Sequence, residues 1–279
     1  WSETEDPAAI VGRLASGAKR IAVGDQMWSR FLVELLPHLP DAQFTRAVDV
    51  VGPLRMSKDR AELDALAAAG AAVDKIAGEL QRGEIPLVGR TEAEVSAHLG
   101  RRIIEEGHQV VNFAIVAAGE NASSPHHHPG DRVIQPGEIV LTDFGGTMNG
   151  YCSDTTRCVF TGDIPADVAE AYYVLFEAQA AGVAAATVGT ACEDVDRACR
   201  KVIDDAGYGE YYVHRTGHSI GQEVHGNGAN MDNLETREER LVMKNTCFSV
   251  EPGIYQPEFG VRSEVDVFVD GDGAVHVTG

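Results

Sequence analysis

An α+β fold with an internal pseudo-two-fold repeat is what this sequence predicts, and three observations predict it. Two stretches of helical periodicity are followed by β-prone stretches, and the same order recurs further along the chain. The β-prone stretches are short and separated by Gly, Pro and Asn signals, as antiparallel strands are. The 279 residues, 44% apolar and 24% charged, suffice for one large domain and part of another with a sizeable core.

Residues 1–56 read as part of a small α/β domain, with a strand at Arg20–Val23 and a helix across Asp25–Leu39 carrying Met27, Phe31, Leu32 and Leu35. Residues 57–279 read as the main domain. A long helix fits Ser57–Gly83, where Leu63, Leu66, Val73, Ile76 and Leu80 form one apolar stripe. Thr91-Glu92-Ala93-Glu94 is a capping box, and the helix it opens runs through Val95, Leu99, Ile103 and Ile104 to Gly107. The period then changes, giving strands at Val110–Val116, Ile139–Phe144 and Cys152–Phe160. Helices follow at Pro165–Ala186 and Cys192–Ala206, then β-prone segments around Tyr211–Val213, Thr246–Tyr255 and Val261–Val269. The repeat lies in the order of elements, not in residue identities. Because the chain starts at Trp1 without Met, it is expected to be incomplete at that end.

A formal net charge of -20, with no Lys/Arg cluster to reverse it locally, argues against nucleic acid as a partner. The five cysteines, Cys152, Cys158, Cys192, Cys199 and Cys247, form no CxxC pair and no even set, so a reduced cytoplasm is expected rather than a disulfide framework or zinc ribbon. The most apolar stretch, Ala178–Thr190, is too alanine-rich to span a bilayer, and no signal-peptide pattern is visible. No membrane contact is expected.

Asp143, in Val-Leu-Thr-Asp-Phe-Gly-Gly, and Asp154, in Tyr-Cys-Ser-Asp-Thr-Thr-Arg, fall on two strands joined by a turn around Met148-Asn149-Gly150. Asp is a poor strand residue. If Met148-Asn149 is the loop, the two Asp residues are directly opposite. If Asn149-Gly150 is the loop, Asp143 faces Thr156 and Asp154 is its diagonal neighbour. Either register puts both carboxylates on one face, where they repel unless a cation lies between them. A single such Asp is ordinarily a solvated strand end. The pattern repeats, however, with Glu251 in Phe-Ser-Val-Glu-Pro-Gly-Ile-Tyr and Glu264 in Gly-Val-Arg-Ser-Glu-Val-Asp-Val. His218, between Gly217 and Gly221, adds an imidazole that alone would be an ordinary core or surface histidine. Four ionised carboxylates carry about -4, which two divalent cations would balance. Oxygen ligands with one imidazole suit Mn²⁺, Co²⁺ or Zn²⁺.

At these residues the chain resembles the pita-bread metallopeptidases, the group that contains methionine aminopeptidase, aminopeptidase P and prolidase. The ordered set Asp143, Asp154, His218, Glu251 and Glu264 matches that family's five metal ligands, and the match runs from Ser57 to the C-terminus. The resemblance implies helix pairs packed on a curved antiparallel sheet. Residues 1–56 resemble the tail of the small creatinase-like N-terminal domain of the prolidase and aminopeptidase P branch. It implies a binuclear metal site, Mn²⁺ first, that hydrolyses a peptide bond at a substrate's N-terminus, with Glu251 handling the proton of the attacking water. His225 and His126 match histidines that contact substrate. Arg262 resembles an arginine that holds the substrate's C-terminal carboxylate, and Arg237 a second; the ordinary alternative is surface pairing with Glu235, Glu238 or Glu239. His127 and His128 have no clear counterpart and read as solvated loop residues. A cytoplasmic homodimer acting on small peptides is the family expectation.

The chain departs from the family where Gly226-Asn227-Gly228-Ala229 follows His225 in place of Glu and Pro, and where Val265 follows Glu264, with the acidic residue, Asp266, one position later. An Xaa-Pro dipeptidase is the leading expectation, with aminopeptidase P, acting on longer Xaa-Pro peptides, as its rival. A non-catalytic binding or chaperone module is the alternative of another class, and the filled ligand positions argue against it.

Overall fold

The computed structural model describes residues 1–279, which part into two units, Trp1–Arg55 and Met56–Gly279. In the first, helix α1 (Pro7–Leu14) opens where the Asp6 carboxylate accepts from the amides of Ala8 and Ala9. Strand β1 (Arg20–Val23) pairs in parallel with β2 (Gln43–Arg46), and α2 (Ser29–Leu35) lies between them in the chain. The helix expected over Asp25–Leu39 is shorter because Pro37 turns Leu36–His38 into a 3₁₀ turn. Helix α3 (Val48–Met56), like α1 and β2, carries no strong periodic signal in the sequence.

In the second unit, α4 (Arg60–Gln81) and α5 (Glu92–Glu105) begin with reciprocal capping boxes, Asp59 with Glu62 and Thr91 with Glu94. The first turn expected at Ser57 is thereby cut back to Asp59. The two helices bury Val73, Ile76, Leu80, Val95, Leu99 and Ile103 against Phe144 and Val116. Each such side chain contributes about 1.5–3 kcal/mol. The sheet beneath them holds β3 (Val110–Ala118), β4 (Ile139–Met148), β5 (Tyr151–Cys152) and β6 (Thr155–Phe160), with β4 pairing all three others. Then α6 (Ala166–Ala185) and α7 (Cys192–Asp205) pack Leu175, Ala178, Val195, Cys199 and Ile203 onto Phe248, Val250 and Val267. Their strands are β7 (Thr246–Val250), β8 (Gly253–Gln256), β9 (Phe259–Arg262), β10 (Val265–Val269) and β11 (Val275–Thr278). No helix is long and apolar enough to cross a membrane.

The internal repeat is visible in backbone hydrogen bonds although not in residue identities. Gly89 donates to Ile134 O, Glu92 to Arg132 O and Ala93 to Gly130 O in the first half. Gly189 to Val242 O, Cys192 to Arg240 O and Glu193 to Glu238 O repeat the pattern in the second. Glu92 and Cys192 therefore occupy equivalent positions at the starts of α5 and α7.

Two expectations need correction. No strand forms at Tyr211–Val213: Gly209–Tyr211 is a 3₁₀ turn, and the carbonyls of Tyr212 and His214 are taken by the Arg200 guanidinium instead of a neighbouring strand. The strands expected as continuous at Cys152–Phe160, Thr246–Tyr255 and Val261–Val269 are each interrupted, at Ser153-Asp154, Glu251-Pro252 and Ser263-Glu264. Three of the four carboxylates singled out in the sequence sit in these breaks.

Candidate active site

The hairpin between β4 and β5 turns on Asn149 (φ 52°) and Gly150 (φ 83°), both in the left-handed region that suits a two-residue hairpin. Asp143 consequently faces Thr156, so of the two registers open to the sequence the one with Asp154 on the diagonal is realised. In the second half Val250 pairs with Val265 and Gly253 with Arg262, and the same register carries Glu251 opposite Glu264. His218 is brought alongside by a bridge from Ser219 to Phe248. Its amide donates to Ser249 Oγ at 3.0 Å, and Ser249 N donates to its carbonyl at 2.9 Å. Only glycine fits beforehand, because a Cβ on Gly217 would lie 1.9 Å from Ser249 O.

These groups converge. Asp154, His218 and Glu264 each offer a ligand atom, all within 4.8 Å of one another, and His218 Nε2 lies 3.5 Å from Asp154 Oδ2 and 3.4 Å from Glu251 Oε1. Burial, reinforced by the charges of Asp143, Asp266 and Glu251, pushes the Asp154 carboxyl well above its usual range. Burial and the charges of Asp154, Glu251 and Asp143 do the same to Glu264. Asp143 Oδ1, Asp154 Oδ1 and Glu264 Oε1 are buried without any hydrogen-bond partner. Buried carboxylate oxygens are costly unless something positive meets them, and a hard-oxygen set with one imidazole is the donor chemistry of a divalent cation. The residues present fit such ions.

A cavity of about 370 Å³ opens over the cluster. Phe113, Ile115 and Val224 give it an apolar wall, and His126, His214, Arg215, His225 and Glu235 its polar rim. The His225 ring lies 4.2 Å from that of His218. Burial, with the charges of His218 and Arg215, pushes its imidazole down to about 4, so it is neutral near pH 7. His126 stands exposed on the rim.

Arg262 is almost wholly enclosed, and its donors are taken: Nε by Thr156 Oγ1, Nη1 by Pro125 O and Tyr255 OH, and Nη2 by Asp143 Oδ2 at 2.6 Å. The contacts run on in one direction. Tyr255 OH, accepting from Arg262, lies 2.8 Å from His214 Nε2, and His214 Nδ1 lies 2.7 Å from the Arg215 carbonyl. These partners assign the proton to Nδ1 and make Nε2 an acceptor for the tyrosine. Burial, with the Arg262 charge, pushes the His214 imidazole down to about 3, in accord with a neutral ring.

Arg237 is exposed, is not among the residues that line the cavity, and forms no ion pair with its acidic neighbours. Arg240 takes Glu238, and Arg215 takes Glu235 at 3.2 Å. The sequence reading passed over His214, Arg215, Glu235 and Tyr255. The first two stand in the same His-Arg-Thr-Gly-His string as His218, and that adjacency was the available signal. His127 is not the solvated residue expected: its Nε2 lies 2.8 Å from the buried carboxylate of Glu92. His128 is exposed. The Gly226-Asn227-Gly228 segment folds back on Ser219, whose hydroxyl accepts from Gly228 N at 2.9 Å. A Cβ on Gly228 would lie 2.4 Å from that hydroxyl. Asp266, one position beyond the family's usual acidic site, is buried and accepts from the Asp154 amide at 3.1 Å, bracing that residue from behind.

Residues 63–271 match metallopeptidase family M24. The chain belongs to this family. It is thus a peptidase of a family that works with divalent metal ions, built on the pita-bread fold. The M24 relatives include the "Probable dipeptidase PepE" of Mycobacterium tuberculosis, 40% identical over 280 residues, 99% of this chain and 73% of its own length. The Xaa-Pro dipeptidase of Lactobacillus delbrueckii subsp. lactis is 38% identical over 232 residues, 81% of this chain and 61% of its own length. The crystal structure of dipeptidase PepE from Mycobacterium ulcerans superimposes with a TM-score of 0.92 at 40% identity, covering 99% of this chain and 73% of that one.

Proposed function

We propose that this M24 peptidase is an Xaa-Pro dipeptidase holding two divalent ions, Mn²⁺ foremost, on Asp143, Asp154, His218, Glu251 and Glu264. The observation that carries the site is the buried cluster of Asp154, His218 and Glu264, with an oxygen of each carboxylate and of Asp143 left without a hydrogen-bond partner. The names and likeness of the M24 relatives support the substrate class.

When bound, such ions polarise the scissile carbonyl and make a water acidic enough to attack at neutral pH. Glu251 is the group that takes the water's proton, since burial holds its carboxyl above the usual range. Neutral His225 is a hydrogen-bond donor for the carbonyl oxygen as it gains charge, and His126 steadies the peptide from the opposite rim. Phe113, Ile115 and Val224 offer a pyrrolidine ring an apolar wall. Arg262 fixes the direction of Asp143 and, through Pro125 O, the approach to His126.

The reading extends to Trp1–Arg55 as part of the small N-terminal domain of the branch, supported by its parallel β1–β2 pair, and to a cytoplasmic homodimer. Release of proline from Ala-Pro, with Mn²⁺ and again after chelation, tests the function. Metal-dependent release with little cleavage of Ala-Ala is expected. Absence of release from Ala-Pro, with cleavage of Ala-Pro-Ala, would transfer the chain to the aminopeptidase P reading.

A further inference from the structure

The pseudo-two-fold relation between Glu92 and Cys192 exposes a difference between the halves. Glu92, at the start of α5, gathers the loop that carries His126 through four hydrogen bonds. Cys192, its counterpart on α7, is a poor acceptor. One helical turn further along the same face stands Asp196, as fully buried as Glu92. Its Oδ1 accepts from the amide and the hydroxyl of Thr216 at 2.9 and 2.6 Å. Its Oδ2 accepts from the Asn233 amide at 3.0 Å and from Arg200 Nε at 2.6 Å.

Each of these partners leads to the cluster. Thr216 stands two residues before His218, and its carbonyl accepts from the Glu251 amide at 2.7 Å. Its hydroxyl, which donates to Asp196, accepts in turn from the buried Tyr212. Arg200, whose guanidinium lies 4.2 Å from the centre of the Tyr212 ring, donates to the carbonyls of Tyr212 and His214. Asn233 stands two residues before Glu235, which borders the cavity. Every group that faces the Asp196 carboxylate is therefore a donor. Such charge-assisted bonds are stronger than those a neutral acceptor makes, and Arg200 meets the charge that burial would otherwise penalise. With both oxygens satisfied, Asp196 has nothing left to offer an ion.

We propose that Asp196, braced by Arg200, is a positioning residue for the site: through Thr216 it sets where His218 and Glu251 stand relative to each other, and through Asn233 it sets the rim that carries Glu235. This rests on the ligand roles given above to His218 and Glu251. Asn at position 196 keeps the shape but turns an NH2 group toward donors, so that either Thr216 or the pair Asn233 and Arg200 loses its anchor. Thr216→Val keeps the branched shape, removes the hydroxyl and strands that of Tyr212. Thr216→Ser keeps both bonds.

The test is calorimetric titration of the metal-free protein with Mn²⁺, beside a thermal melt of each variant. The readout does not depend on which peptide the enzyme cleaves. Asp196→Asn and Thr216→Val should each bind Mn²⁺ about tenfold more weakly than the wild type, as loss of the partners that orient metal ligands commonly does. Thr216→Ser should restore the wild-type affinity. Leu80→Ala, which opens a cavity in the core beneath α4, is the control: it should melt earlier and bind Mn²⁺ as the wild type does. Should Asp196→Asn fail to fold, the contrast between Thr216→Val and Thr216→Ser decides the matter. Unchanged affinity in Asp196→Asn and Thr216→Val, or an equal loss in Leu80→Ala, would overturn the proposal. A wild type that binds no Mn²⁺ would instead overturn the metal site itself, and this proposal with it.

Discussion

Arg262 Nη2 donates to Asp143 Oδ2 at 2.6 Å, and both groups are buried. A guanidinium so placed orients one oxygen of the carboxylate and leaves the other, Oδ1, buried without a hydrogen-bond partner. Arg262→Met would strand the Asp143 charge and free Tyr255 and Pro125 O from their shared donor. Breaking a buried pair in this way costs about 3–5 kcal/mol. Urea unfolding should show that loss together with a fall in kcat, while a stability change below about 1 kcal/mol would mean that the pair is solvated in solution.

The carboxylates that converge on His218 make the site unstable by itself. Chelation should therefore lower the melting temperature, and Asp154→Asn should reverse part of that loss by removing one of the repelling charges. Calorimetry of the metal-free proteins is expected to place the variant about 1–2 kcal/mol above the wild type, although it is inactive, as trade-offs at functional sites commonly are. A metal-free variant less stable than the wild type would show that Asp154 is satisfied without a cation.

His218 and His225 lie in close, tilted ring contact but are asked for different things. His218→Ala should lose both metal and activity. His225→Ala should keep its metal and lose about 10²–10³-fold in kcat, the worth of one well-aimed donor to a developing oxyanion. Elemental analysis beside steady-state kinetics separates the two. Metal loss in His225→Ala would withdraw the role assigned to it.

The helices and the carboxylates were legible because their signals are local. Asp59 and Thr91 announce capping boxes within a single turn, and a carboxylate in a β-prone run stands out against strand propensity. The strand breaks at Ser153-Asp154 and Glu251-Pro252 were not legible, because they follow from pairing between distant segments. The same holds for Arg262: its string pointed to the site, but only the fold shows its donors taken by Thr156, Pro125, Tyr255 and Asp143. Arg215, which carried no signal of its own, lines the cavity for the same reason, beside a segment set by the hydrogen bonds of Asp196 to Thr216 and of Asp232 to Glu235.

Glu92 is the residue through which α5 reaches the catalytic rim. Fully buried, it accepts from Ala118 N, Asn121 Nδ2, His127 Nε2 and Gly130 N, and so ties down both ends of the segment that carries His126. Burial works against its charge, but these hydrogen bonds win and hold its carboxyl below the ordinary value. A depressed folded pKa contributes stability that is present above the unfolded pKa and lost as pH falls through the folded one. Glu92→Gln, which turns one acceptor into a donor facing donors, should cost about 1–3 kcal/mol near pH 7. The gap to the wild type should close below about pH 4. Turnover should fall with it, because His126 loses its fixed place. Denaturation at a series of pH values checks this: a gap that stays constant into acid would assign the loss to shape, and the Glu92 charge would then have no part in holding the loop.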